Sequence, residues 1–211
     1  MLQTDSIDPA GFLRALRTPG AVAYPLLGAA ECRALADEAR GFDFEAQPEA
    51  VGPEERRVHQ RLASVQMGAE PGPFRRLVQS VEALVAGVHR RCDTSPWQEA
   101  PAFNDFLLQR YPPGPFALTP HLDGKRYRDL VVVAVFAGTA TFCVCADRAG
   151  NGRVEIPAPP GSVIFMRAPG FDGAEDNRPF HCVLDVIAER YTLGMRCNSR
   201  LRDGAASAGT R

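Results

Sequence analysis

The spacing of apolar residues changes character about halfway along the chain. Over the first hundred residues they recur at intervals of three and four. Phe12, Leu13 and Leu16 follow Asp8 and Pro9, a capping acid and a proline suited to the first helical position, and they predict a short helix. A second helix is predicted over 29–40. The clearest lies over 73–92, where Phe74, Leu77, Val78, Val81, Leu84, Val85 and Val88 share one face. Between them, 42–73 is rich in Pro, Gly, Gln and Glu and reads as an irregular segment. From Phe103 onward the period shortens to two, in brief runs broken by Gly and Pro. Strands are predicted near 105–111, 116–121, 130–136, 139–146, 153–156, 162–166, 180–186 and 190–197.

Eight short strands separated by turns suit a sandwich or barrel better than a parallel α/β sheet. The expected organisation is a helical N-terminal layer over 1–100 supporting a mainly β core over 101–200, with a small, polar, flexible tail over 201–211. The 211 residues fit one domain carrying such a layer.

Composition narrows the function classes. The longest apolar run, Leu130 to Ala137, is far short of the ~20 residues that cross a bilayer, so no membrane span is expected. The first ten residues carry two Asp and no basic segment, unlike a secretory signal. The six cysteines form no C-x-x-C pair and lie mostly in apolar stretches, as reduced thiols of a cytoplasmic protein would. Of the 24 basic residues 23 are Arg, but 25 acids balance them to a net charge of −1, which argues against a nucleic-acid partner.

The candidate chemistry begins at T-P-H-L-D-G. His121 and Asp123 are two apart, and in an extended strand residues i and i+2 project to one face, so an imidazole and a carboxylate can share a metal ion. In a chain with 4 His and 13 Asp such a pair arises by chance about a quarter of the time, so it needs context. His181, in R-P-F-H-C-V, is the leading second imidazole. Two His and one carboxylate on one face of an octahedron leave open positions, the facial triad of non-haem Fe(II) oxygenases. Downstream, Arg190, Thr192, Gly194 and Arg196 fall on one face of the last strand and alternate with Tyr191, Leu193 and Met195. An inward-pointing Arg in a half-apolar barrel needs an anion, and a dicarboxylate supplies one through a bidentate fork.

Together these features resemble the Fe(II)/2-oxoglutarate-dependent dioxygenases, over about residues 103–197. The resemblance rests on Q-R-Y-P-P-G ahead of the H-x-D, A-P-P-G-S-V-I-F before the distal His, and R-Y-T-L-G-M-R after it. The two arginines six apart and R-Y-P-P-G are similar to the AlkB-type branch; the short gap from His181 to Arg190 is similar to the prolyl-hydroxylase branch. The resemblance implies a double-stranded β-helix, a jelly roll of cupin-like type. It also implies Fe(II) on His121, Asp123 and His181, and 2-oxoglutarate and O2 as cosubstrates. Arg190 would pair with the distal carboxylate of 2-oxoglutarate, helped by Thr192 and the Tyr111 hydroxyl, with Gln109 and Arg196 as further contacts. The implied reaction releases succinate and CO2 and hydroxylates, demethylates or desaturates an unactivated C–H bond of a small-molecule substrate.

Rival readings of the same residues are an AlkB-type nucleic-acid dealkylase, a non-catalytic cupin-like binding protein and a zinc hydrolase. His59 and His89 read as solvent-facing, and Cys143 and Cys145 as barrel-lining or core thiols, with Cys182 turned away from His181. Lys125-Arg126-Tyr127-Arg128 reads either as a solvated turn or as a contact for an anionic substrate. The loop 168–179, with Gly170 and Gly173, is a candidate lid from which Phe171 and Asp172 would overhang the opening.

Overall fold

The computed structural model describes residues 7–68 and 72–201; the predicted tail beyond Leu201 lies outside the described residues. In chain order the elements are α1 (Pro9–Arg17), β1 (Ala21–Pro25), α2 (Ala29–Ala39), β2 (Glu45–Ala46), β3 (Ala50–Val51), β4 (Val58–His59), β5 (Ala63–Met67) and α3 (Pro73–Arg91). There follow β6 (Asp105–Tyr111), β7 (Gly114–His121), β8 (Tyr127–Ala137), β9 (Thr141–Cys145), β10 (Val154–Glu155), β11 (Ser162–Arg167), β12 (Phe180–Val186) and β13 (Arg190–Asn198). The Asp8 carboxylate caps α1 by accepting from Ala10 N at 3.1 Å and Gly11 N at 2.8 Å, as the Asp-Pro pair predicts.

Two antiparallel sheets face each other. The larger runs β1-β11-β8-β13-β6-β5-β2 and the smaller β10-β9-β12-β7. The apolar stretch of β8 is continuous because both of its faces are covered. Leu130, Val132, Ala134 and Phe136 pack outward against the helices with Leu193 and Met195 of β13. Val131 and Val135 point into the space between the sheets, among Phe142, Val144, Ile164 and Val183. The apolar face of α3 closes the outer core, with Val81, Val85 and Val88 wholly buried. No helix among the described residues is long and apolar enough to cross a membrane.

The first hundred residues are more than a helical layer. β1 pairs with β11 and β5 with β6, so both extend the larger sheet. The β3–β4 hairpin lies against β7, bridged at Gln60 and Leu118. These strands are two to five residues long, too short for a period-two signal to stand out in a Pro- and Gly-rich stretch.

The approach to β13 depends on one glycine. Gly138 ends β8 at φ +71°, and a Cβ there would collide with the Glu189 carbonyl oxygen and come within 2.6 Å of Arg190 Cα. The bare backbone at 138 lets β13 begin where it does, and so fixes the height of Arg190 in the barrel.

The loop 168–179 is tethered to its surroundings. Phe171 is buried against Trp97, with ring centroids 5.9 Å apart, and Asp172 pairs with Arg17 through two hydrogen bonds of 2.8 and 2.9 Å. Both side chains turn toward the helical layer rather than over the barrel opening, because an apolar pocket and a cation lie on that side.

Candidate metal centre

His121 and His181 are direct cross-strand partners on β7 and β12, which places two imidazoles side by side at one end of the smaller sheet. Their ring centroids are 4.2 Å apart. Asp123 lies just beyond the end of β7, and its Oδ2 is 4.0 Å from His181 Nε2. One ligand atom from each of the three residues lies within 4.8 Å of the others, the only such group among the described residues. The three predicted ligands thus converge, and the register of two strands 60 residues apart in sequence brings them together.

Each imidazole is oriented by its own strand. His121 Nδ1 is 2.9 Å from the Thr119 carbonyl oxygen, and His181 Nδ1 is 3.2 Å from that of Pro179. A carbonyl only accepts, so Nδ1 carries the proton in each ring and the Nε2 lone pair remains for a metal. Burial, and then the neighbouring His181, pull the His121 pKa down to about 4 against the opposing effects of Asp123 and the Thr119 carbonyl, so its ring is neutral at physiological pH. Burial works against ionisation of Asp123, but its electrostatic interactions with His181, with the Arg196 guanidinium, with His121 and with the Arg178 guanidinium together outweigh it and hold its pKa below the usual range. Neutral imidazoles and an ionised carboxylate are the protonation states that bind a divalent cation. Two nitrogens and one carboxylate oxygen suit iron(II), with further positions open.

Arg190 opens β13 and is 1% exposed. Its cross-strand partner is Tyr111, and its guanidinium carbon lies 5.3 Å from the centre of that ring. Arg190 makes no ion pair among the described residues, and its Nε is buried without an acceptor, as is the Thr192 hydroxyl. Burial pulls the Arg190 pKa below its ordinary value, with Tyr111 opposing that shift. The Tyr111 pKa is raised by burial against the pull of Arg190. Thr192 pairs with Gln109, itself buried. Four polar side chains of two adjacent strands therefore face one buried region, in which no carboxylate among the described residues pairs with Arg190. Arg196 shares the strand face, opposite Val131 of β8, and its Nε also lacks an acceptor.

Apart from Tyr127, which the sequence places in a candidate anion contact, several residues at the site carry no sequence signal of their own. Tyr127, Val131, Met166 and Arg178 line the same small cavity as Asp123 and His181. Arg178 donates to the Asp123 carbonyl oxygen and pairs with Asp176 through two bonds of 2.7 Å, while Lys125 pairs with the same Asp176 at 3.1 Å. The only hint was position, since Arg178 stands three residues before His181. Cys143, Cys145 and Cys182 lie on the opposite face of the smaller sheet from His181, so the first two face away from the barrel interior; Cys145 and Cys182 sulfurs are 3.8 Å apart. His59 is exposed, and His89 Nδ1 is engaged by the Ser95 hydroxyl at 2.7 Å.

No family model matches the sequence, and no curated protein matches it significantly. Solved structures do match. A prolyl-4-hydroxylase of Pseudomonas putida is 18% identical with a TM-score of 0.62, over 90% of this chain and 98% of that one. A prolyl hydroxylase of Trichoplax adhaerens, in complex with a hypoxia inducible factor oxygen degradation domain peptide fragment, is 14% identical with a TM-score of 0.66, over 91% and 89%. An oxidoreductase of the 2OG-Fe(II) oxygenase family from Burkholderia pseudomallei is 15% identical with a TM-score of 0.61, over 93% of each chain. The chain therefore shares its fold with solved structures of prolyl hydroxylases and of a 2OG-Fe(II) oxygenase family member.

Proposed function

We propose that the protein is a mononuclear Fe(II)- and 2-oxoglutarate-dependent oxygenase that oxidises an unactivated C–H bond. The observation that supports this reading most is the buried Arg190, with no ion-pair partner among the described residues and no acceptor at its Nε, in the same barrel as three side chains that could hold a metal. A metal site alone would suit zinc hydrolysis equally, but it would not call for an unpaired buried cation.

In this reading His121, Asp123 and His181 hold the iron. Arg190 receives the distal carboxylate of 2-oxoglutarate in a bidentate fork, and the Thr192 hydroxyl, now without an acceptor, donates to the same group. Tyr111 and Gln109, across the strand, flank that carboxylate and limit its position. The bound iron and cosubstrate supply O2 activation coupled to decarboxylation, with succinate and CO2 as products. The apolar wall of Val131, Val135, Ile164 and Phe142 keeps bulk water from the reaction space. The Nδ1–H bonds of both histidines hold the rings in one tautomer throughout.

The prolyl hydroxylases among the structural neighbours make hydroxylation the first reaction to test, and a peptide is as admissible a substrate as a small molecule. The test is aerobic incubation of the protein with Fe(II) and 2-oxoglutarate, scoring succinate. Equimolar succinate and CO2 support the reading. Binding of 2-oxoglutarate with no succinate under any substrate panel would instead indicate a non-catalytic binding protein.

A further inference from the structure

A second group of donors stands beside the metal ligands, made of the exposed Arg126, the buried Tyr127 and the half-buried Arg196. Tyr127, the first residue of β8, is buried and lines the cavity that Asp123 and His181 also line. Two guanidinium groups lie over its ring, Arg126 Cζ at 4.4 Å and Arg196 Cζ at 5.0 Å from the centroid. Arg126 Nη2 donates to the Tyr127 hydroxyl at 2.6 Å, which leaves the phenol proton for an acceptor elsewhere. The Arg196 side chain folds back along its own strand: Nη2 lies 3.3 Å from the point where a Cβ on Gly194 would stand. Its Nε is buried without an acceptor.

Three nearby acids are engaged elsewhere. Asp176 is held by Arg178 and Lys125. Asp105, the cross-strand partner of Arg196, accepts from Asn198 Nδ2 at 2.7 Å and Gln66 Nε2 at 3.2 Å. Asp123 is a metal ligand in the reading above. Neither Arg126 nor Arg196 forms an ion pair among the described residues. Three donors around one aromatic ring, two of them cationic, are complementary to an oxyanion.

In the oxygenase reading the distal carboxylate of 2-oxoglutarate goes to Arg190 and Thr192 and the near one would go to the metal, which releases Arg196 from the cosubstrate contact that the resemblance implies. We infer that Arg126, Tyr127 and Arg196 bind a third carboxylate, carried by the primary substrate, and so hold its C–H bonds beside the iron. This inference rests on the oxygenase reading and names the substrate class, an organic acid or an acidic residue of a peptide. The Arg126-Tyr127 pair, which the sequence leaves between a solvated turn and an anion contact, then serves recognition.

The test uses the full chain loaded with Fe(II) and 2-oxoglutarate. Succinate release is measured against a series of short carboxylates from acetate to hexanoate, their matched amides, and peptides bearing a single Glu. Carboxylates are expected to stimulate release and amides are not, and the free-acid and peptide arms separate the two sources of the group. R126Q is expected to raise the half-saturating concentration about tenfold or more, with R126K retaining part of the response. A melting curve checks that R126Q is folded, and Y127F, which removes both the phenol proton and the oxygen that accepts from Arg126, is expected to weaken the response in the same direction. Amides that act as well as acids, or an R126Q protein that responds like the wild type, would overturn the inference. So would R126Q and R126K variants that weaken 2-oxoglutarate binding in place of the carboxylate response. If the wild type forms the anaerobic Fe(II)·2-oxoglutarate chelate but no carboxylate stimulates it, this inference falls alone. If the chelate itself does not form, the oxygenase reading falls and takes this inference with it.

Discussion

Replacing Arg190 by Met separates a binding role from a structural one, because the two roles predict opposite changes in stability. Arg190 is 1% exposed and has no anionic partner among the described residues. With 2-oxoglutarate bound, Arg190 becomes half of a buried, hydrogen-bonded ion pair. Removing one partner of such a pair costs about 3–5 kcal/mol, or about a hundred- to several-thousand-fold in affinity. Without 2-oxoglutarate the sign reverses. A buried unpaired charge is destabilising, and an apolar side chain of similar length stabilises by about 1–4 kcal/mol, or about 2 to 16 °C in melting temperature for a chain of this size. The assay is a pair of measurements on wild type and R190M: melting temperature without ligands, and anaerobic titration of the Fe(II)-loaded protein with 2-oxoglutarate. A variant that melts lower and binds 2-oxoglutarate unchanged would refute the assignment.

Other perturbations test separate parts of the site. Arg178 supports Asp123 through its carbonyl oxygen, so R178A is expected to weaken Fe(II) binding about 10- to 100-fold, read by competition with a chromogenic chelator. The metal-free protein should lose stability as pH falls from about 6.5 to about 4. The unfolded His121 takes up a proton near 6.5 while the folded one waits until about 4, so the unfolded state binds more protons across that window. Melting temperatures from pH 4 to 7 show this slope, and H121F should flatten it. G138A forces a Cβ against the backbone of residues 189 and 190 at a left-handed φ, and should lower the melting temperature and weaken 2-oxoglutarate binding together. A G138A protein with unchanged cosubstrate affinity would separate that turn from the position of Arg190.

The parts of the structure legible in the sequence were those with a strong local period or a chemically scarce residue. The apolar face of α3 and the alternation of Arg190, Thr192, Gly194 and Arg196 with Tyr191, Leu193 and Met195 emerge as the two faces of real elements, one set in the outer core and the other in the barrel. His121, Asp123 and His181 could be singled out because the chain has so few histidines. β1 and β5 were not legible, because five-residue strands acquire their identity from β11 and β6 rather than from their own pattern. Nor was the outward face of Cys143 and Cys145, which follows from the pairing of Cys182 with Cys143 and of His181 with Val144. A one-residue shift of that register would have placed the thiols inside. Arg178 gains its meaning only from the neighbours that folding supplies.

The most direct measurement is an anaerobic titration of the Fe(II)-loaded protein with 2-oxoglutarate, followed by visible absorption. The weak charge-transfer band of a bidentate chelate should appear and saturate at one equivalent, and it should be lost in H181A. A protein that binds Fe(II) yet develops no band at saturating 2-oxoglutarate would contradict the account.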